Sequence, residues 1–391
     1  MSETQAWAEL RELLREQGSL SEDWAQAFTD VPRSPFLPDL IWPYDMATGD
    51  ATPVRWSEDP ETWAKYANAN GPIVTQWDDG DHDGDTPGWS SSSSASMPSV
   101  VFSMLRDLDL RPGQNVLEIG TGTGWSAALM TQRVGCDRVT TIEVDDQVAD
   151  RAKTALLQFG TPVNVIAGDG AQGYPEGAPY DRVIATCGLR TIPYAWVEQC
   201  ATGGVIVAPW GTHFTNGDAV ARLVVADDGK SASGWFTGAV EFMKLRAQRR
   251  PPLVHGDYTR NGGLDAAEKS TTTLTEGEFL APRFSAQTFA LGLAVPHCVR
   301  VVADKRNGAQ PVWLYELGGE SWACVMFDED SDARVWQFGP RRLWDESEAA
   351  YRWWDAQGRP GFDRFGLTVD SDGERAWLDA PDGPVPTHMA A

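Results

Sequence analysis

Val116-Leu-Glu-Ile-Gly-Thr-Gly-Thr-Gly-Trp125 is an apolar run that ends in three alternating glycines. The run reads as a buried strand, and the glycines let the backbone turn sharply and approach a ligand without a Cβ in the way. Trp125 occupies the position where a G-x-G-x-x-G dinucleotide fingerprint needs its third small residue. The flanking pattern alternates in type. Helices are predicted over Val100–Leu110, Trp125–Val134 and Asp146–Phe159, and strands over Arg138–Glu143, Val163–Ile166, Asp181–Thr186 and Val205–Ala208. Alternation at this spacing predicts an α/β fold, Rossmann-like, with a mostly parallel sheet and helices on both faces. Val220–Ala226 and Trp235–Leu245 are expected to add antiparallel edge strands.

Three acids sharpen the ligand. Glu118 precedes the turn, Glu143 ends the second strand, and Asp169 follows the third in Gly168-Asp-Gly170. All three fall at carboxyl ends of parallel strands, where open α/β sheets bind ligands. A carboxylate beside the loop suits an ammonium and a sulfonium better than a pyrophosphate, one ending the second strand can accept from both ribose hydroxyls, and Asp169 can receive the adenine amino group. S-adenosylmethionine is the cofactor this pattern implies. The expected cofactor set is Glu118, Gly120, Thr121, Gly122, Gly124, Trp125, Glu143, Asp169 and Gly170. Generic nucleotide binding is the alternative.

At 391 residues and 42% hydrophobic content the chain suits two domains, each with a core. Its formal net charge is −24. Such a surface repels phosphate backbones and anionic membranes, so neither nucleic acid nor membrane is expected as a partner, while a basic peptide is admissible. The five cysteines are scattered without C-x-x-C spacing, which speaks against a disulfide framework or a zinc site. Asp78-Asp-Gly-Asp-His-Asp-Gly-Asp85 resembles a calcium loop but lacks its terminal glutamate, so no metal is expected. The start has no apolar signal core and no run reaches membrane-spanning length, which gives a cytoplasmic expectation.

Residues 1–97 read as two short helices, then the extended, proline-punctuated Val31-Pro-Arg-Ser-Pro-Phe-Leu-Pro38, then an irregular stretch from Ile41 to Ser96. The serine run Ser90–Ser94 is expected to be a flexible lead-in. The sheet-forming core is placed at 98–250. From 251 to 391 the composition shifts to short strands around 299–338, a helix over Trp344–Ala356 and a closing hairpin over 365–378. This is expected to be a separate C-terminal α+β domain that recognises peptide.

Several ordered elements resemble the protein-L-isoaspartate (D-aspartate) O-methyltransferase family. They are the Val31–Pro38 element, Ser94-Ala-Ser-Met-Pro98, the glycine loop, Gly168-Asp-Gly170, Tyr180-Asp-Arg-Val-Ile184, Gly203-Gly-Val-Ile-Val-Ala-Pro209 and Val240-Glu-Phe-Met-Lys-Leu245. The resemblance covers roughly residues 1–245 and implies a class I S-adenosylmethionine-dependent methyltransferase acting on an aspartate or isoaspartate carboxyl in a peptide or protein. It puts Ser96 on the family's active-site serine, with Ser94 and Met97 beside it. The segment between Pro38 and Ser94 is longer than in the compact repair enzymes, and the part after about 250 has no counterpart in them. The long layout, Pro72-Ile-Val-Thr-Gln-Trp-Asp-Asp79 and the tryptophan-rich tail resemble methyltransferases that tailor ribosomally made lanthipeptide, lasso or graspetide precursors. Two alternatives stand beside that one: a general isoaspartate repair enzyme, and a peptide-binding scaffold without catalysis.

A carboxylate is already ionised at neutral pH, so the reaction needs alignment and exclusion of water more than a base. Ser96 is expected to hold the acceptor carboxylate, or else to cap the helix at Pro98. His213 is a weaker candidate for substrate contact, as are Arg33 and the Asp78–Asp79 pair.

Overall fold

The computed structural model describes residues 3–305, 308–328 and 331–387. Helices Glu3–Glu16 and Glu22–Asp30 open the chain. Strands β1 (Leu40–Pro43), β2 (Val54–Arg55), β3 (Ile73–Trp77) and β4 (Ser91–Ala95) then form an antiparallel sheet in the order β2-β1-β3-β4. The sequence leads one to expect an irregular stretch and a flexible serine run here. Instead β4 pairs with β3, Ile73 opposite Ala95 and Val74 opposite Ser94. Polar side chains reinforce this pairing, Thr75 Oγ1 donating to Ser93 Oγ (3.2 Å) and Ser92 Oγ to Gln76 Oε1 (2.9 Å).

The core follows the expected alternation through β5 (Val116–Ile119), β6 (Val139–Glu143), β7 (Asn164–Ala167), β8 (Tyr180–Ala185), β9 (Cys200–Trp210), β10 (Asp218–Val225) and β11 (Ser231–Val240). The strands β9-β8-β5-β6-β7 are parallel to their neighbours, and β10 and β11 continue the sheet antiparallel beyond β9. All four residues of β5 are buried, as befits a central strand covered on both faces. Helix Asp146–Phe159 starts where the Asp145 carboxylate accepts the Gln147 and Val148 N–H groups, and it stops at Gly160 in the left-handed region. On one face the N-terminal helices share a core with helices Pro98–Leu108 and Trp125–Val134.

Beyond residue 250, β12 (Glu268–Thr272), β13 (Cys298–Val302), β14 (Gln310–Glu316), β15 (Trp322–Asp328) and β16 (Ser331–Phe338) form an antiparallel sheet in the order β12-β16-β15-β14-β13. Helix Ala286–Ala294 joins it to the central sheet, Phe289 meeting Phe236 at 4.8 Å and Trp210 at 6.2 Å between ring centres. The expected closing hairpin, β17 (Phe365–Asp370) and β18 (Gly373–Leu378), belongs elsewhere. It completes the central sheet in the order β18-β17-β11-β10-β9-β8-β5-β6-β7, with Val369 opposite Ala232 and Leu367 opposite Gly234. The reason is apolar: Phe365, Leu367 and Val369 are buried in the same core as Phe236 and Ala232. Glu374 adds a polar tie, accepting from the Ile192 N–H and, at 3.0 Å, from the Trp210 indole. The central sheet therefore runs across the boundary expected at residue 250.

Candidate active site

The glycine loop opens a narrow cavity whose wall includes Gly120, Thr121, Gly122, Trp125, Glu143 and Gly170. Gly120 has φ +94, and a Cβ there would lie 2.8 Å from Thr186 Oγ1, so only glycine suits both the turn and the packing. The Gly122 N–H donates to Glu143 Oε2 at 3.0 Å, and the Asp145 N–H to Glu143 Oε1 at 3.2 Å. Burial holds the Glu143 carboxyl above its ordinary value.

The other members of the expected set are held by the fold itself, Trp125 among them although it also lines the cavity. Gly124 starts helix Trp125–Val134 in the left-handed region. Asp169 is exposed and accepts the Ala171 N–H at 3.0 Å. Trp125 is buried, and its indole N–H is committed to the Val31 carbonyl at 3.0 Å. Glu118 lies fully buried beneath the loop, where burial pushes its carboxyl up to about 7. Its Oε2 accepts from Thr141 Oγ1 at 2.7 Å, and Thr141 is bonded in turn to Thr121 Oγ1 at 2.8 Å. Beside Thr141, the Glu118 carboxyl has only the buried Ser126 hydroxyl on the cavity wall to hold it, and neither Glu118 Oε1 nor that hydroxyl makes a well-formed hydrogen bond among the described residues. A buried carboxylate held by two neutral hydroxyls alone still calls for a further donor or a cation.

Ser96 sits between β4 and helix Pro98–Leu108 with its hydroxyl uncommitted among the described residues. It does not cap that helix. Met97 is the N-cap residue, and the Ser99 N–H is satisfied by Asn70 Oδ1 at 3.0 Å. The Ser96 carbonyl is fixed by Arg33, which is wholly buried and donates also to the carbonyls of Tyr66, Ala67, Ala69 and Gly71. Arg33 thus organises the loop and is closed to substrate. Asp78 is likewise engaged, accepting the Trp89 and Ser90 N–H groups.

A second, larger cleft of about 1060 Å³ adjoins the first. The two share a wall made of Ser94, Ser96, Phe242, Met243, Lys244 and Arg249. Met97 and His213 line the large cleft alone, and burial, with Arg190 and Arg250 nearby, lowers His213 to about 4, so it is neutral at physiological pH. The sequence reading missed the cations at this junction. Lys244 Nζ and Arg190 Nη1 both approach the fully buried Asp218 carboxylate, the latter at 3.4 Å. Burial raises Asp218 and lowers Lys244, while each pulls the other the opposite way. Asp79 accepts from Arg249 (2.8 Å) and forms an ion pair with Arg246 (2.9 Å), which itself donates to Asp145 (2.9 Å) and so joins the N-terminal sheet to the cofactor side. The available signal was a lysine inside the apolar run Phe242-Met-Lys-Leu245.

Residues 84–248 match the family model described as Protein-L-isoaspartate(D-aspartate) O-methyltransferase (PCMT). A protein-L-isoaspartate O-methyltransferase of Methanococcus maripaludis is 45% identical over 117 residues, 29% of this chain and 55% of that protein, so the match spans about half of that relative's length. One from Pyrococcus horikoshii is 33% identical over 209 residues, 53% of this chain and 78% of the relative. The chain belongs to the protein-L-isoaspartate O-methyltransferase family. Within this family, a solved protein-L-isoaspartate O-methyltransferase aligns over 96% of this chain and all of its own, with TM-score 0.52 and 21% identity. That alignment extends past residue 250, where the sequence reading expected a counterpart only in long relatives and none in the compact repair enzymes.

Proposed function

We propose that the protein transfers a methyl group from S-adenosylmethionine to the free carboxylate of an aspartate-type residue in a peptide. The observation that carries this is the shared wall, where the narrow glycine-loop cavity and the larger cleft meet at Ser96. The residues present fit the cofactor. Glu143 at the end of β6 would take the ribose hydroxyls, and the Glu118 carboxylate beneath the loop would answer the cofactor's positive charge. Gly170 offers backbone at the cavity wall, with Asp169 beside it for the adenine amino group.

When bound, S-adenosylmethionine supplies an electrophilic methyl carbon on sulfur. The acceptor carboxylate needs no proton removed. Ser96 donates one neutral hydrogen bond to it, which orients an oxygen without neutralising its charge. The N-terminal sheet, tied to the junction by Arg33 and by the Asp79–Arg246–Asp145 ion pairs, would exclude water once a peptide fills the cleft. With that oxygen turned toward the glycine-loop cavity by Ser96, the acceptor would receive the methyl that the cofactor, held by Glu143 and Glu118, would supply. The resulting ester has a better leaving group than a carboxylate. Attack by the next backbone nitrogen, with loss of methanol, closes a succinimide.

Two substrate classes are compatible with that chemistry. The cleft spans many more residues than one side chain needs and draws on the long N-terminal segment and on Arg283 and Phe284 from beyond residue 250, which favours a dedicated peptide of the ribosomally made, tailored kind. Family membership favours isoaspartate repair. Mass spectrometry of isoaspartyl and aspartyl peptides incubated with enzyme and S-adenosylmethionine separates them. Methylation of any accessible isoaspartate supports repair, and methylation confined to one aspartyl sequence supports tailoring. Cofactor binding with no methylation of either class would leave a peptide-binding scaffold.

A further inference from the structure

The chain carries 32 Lys and Arg against 56 Asp and Glu, which favours basic partners at long range. The large cleft inverts that balance. Its charged lining is Arg190, Lys244, Arg249, Arg250 and Arg283 against Asp50 and Glu241. Some of these cations are matched: Arg283 holds Glu241 and Arg249 holds Asp79. Others are in surplus. Lys244 and Arg190 share the single Asp218 carboxylate, so that buried trio keeps one net positive charge. Arg250 is exposed and has no carboxylate partner among the described residues. Screening confines the distant acidic surface to about 8 Å at physiological salt, so the charges inside the cleft decide what settles there.

The reacting carboxylate is not the best match for this surplus. A cation clamped on it would drain the charge that makes it a nucleophile. A neighbouring carboxylate on the same peptide has no such conflict. We propose, building on the methyltransferase reading above, that the cleft selects a peptide with acidic residues flanking the methylated one, held by Lys244 and Arg190 over Asp218 and by Arg250. The site is thus specific for acidic sequence context, contrary to what the bulk charge suggests.

The test uses the full-length enzyme with S-adenosylhomocysteine and fluorescently labelled peptides of equal length, each with one central isoaspartate flanked by Glu, Gln or Lys. Anisotropy titrations at low and high salt should show the Glu peptide binding about tenfold more tightly than the Lys peptide, with the gap narrowing as salt rises. Arg250→Gln, on the surface, should weaken the Glu peptide about threefold. Lys244→Met leaves Asp218 paired with Arg190, so the trio's surplus charge is removed without stranding a buried carboxylate, and most of the remaining preference should be lost. Equal or tighter binding of the Lys peptide overturns the proposal. If neutral and acidic flanks are methylated alike, the selectivity fails while the methyltransferase reading stands. If binding follows flank charge but no peptide is methylated, the converse holds.

Discussion

Arg33 gives the most demanding test of how the site is built. Its guanidinium donates to five backbone carbonyls at 3.0 to 3.2 Å, those of Tyr66, Ala67, Ala69, Gly71 and Ser96, with no solvent exposure. Hydrogen bonds to a charged group contribute about 1.5–3 kcal/mol each, and five together would exceed ~7 kcal/mol. The cost of taking the cation out of water, several kcal/mol, offsets part of that. Arg33→Met is therefore expected to cost about 3–5 kcal/mol, with five carbonyls left unmet. Arg33→Lys has three donors for five acceptors and should fall between the two. Urea unfolding of the cofactor-free protein reads the stability. Initial rates and calorimetry read the function: methylation should drop at least about tenfold as the Ser96 carbonyl loses its anchor, while S-adenosylhomocysteine affinity changes by less than about threefold. A methionine variant within about 1 kcal/mol of the parent, with normal turnover, would refute the claim that this cation sets the loop.

Ser96→Ala should lower kcat with little change in cofactor affinity, and should shift stability by less than about 0.5 kcal/mol because its hydroxyl caps nothing; a larger loss of stability than of activity would contradict this. Glu118, raised from 4.5 to about 7 by burial, is mostly protonated at pH 6 and charged above 7. Affinity for the cationic cofactor should therefore rise about tenfold between about pH 5.5 and 7.5, a slope that Glu118→Gln flattens; a flat parent profile rules the pairing out. The same shift means the native protein holds a proton the unfolded chain has released, so Glu118 makes the free protein lose stability as pH rises from 4.5 to about 7. A chain ending at Arg250 lacks β17, β18 and most of one core, and is expected to be insoluble or without a cooperative transition; a soluble truncated protein that binds S-adenosylmethionine would show that the hairpin is dispensable.

The parallel core was legible because its signals are local: apolar runs of strand length, a glycine turn, a helix capped by Asp145 and stopped by Gly160. The N-terminal sheet was hidden because β2 has two residues and β4 is nearly all serine, so its order comes from pairing with β3 and not from hydrophobic alternation. The hairpin at 365–378 was recognised as a hairpin, but its partner β11 lies far back in the chain, and no local pattern encodes which sheet edge a hairpin joins. Ser96, Glu143 and Gly170 were found through motif position. Lys244 and Arg190 were not, since what distinguishes them is convergence on Asp218 from separate segments.

The placement of β17 and β18 also bears on synthesis. During translation β11 emerges with one edge unpaired, and the strand that covers it is made only after the entire β12–β16 layer and helix Leu343–Ala356. Until then Phe236 and Ala232 lack the covering Leu367 and Val369, and an open edge of that kind is a template for pairing with another chain. That hairpin therefore acts as a completion signal: the β11 edge stays open until residues 365–378 have left the ribosome, and slow elongation between β11 and the hairpin would lengthen that vulnerable interval.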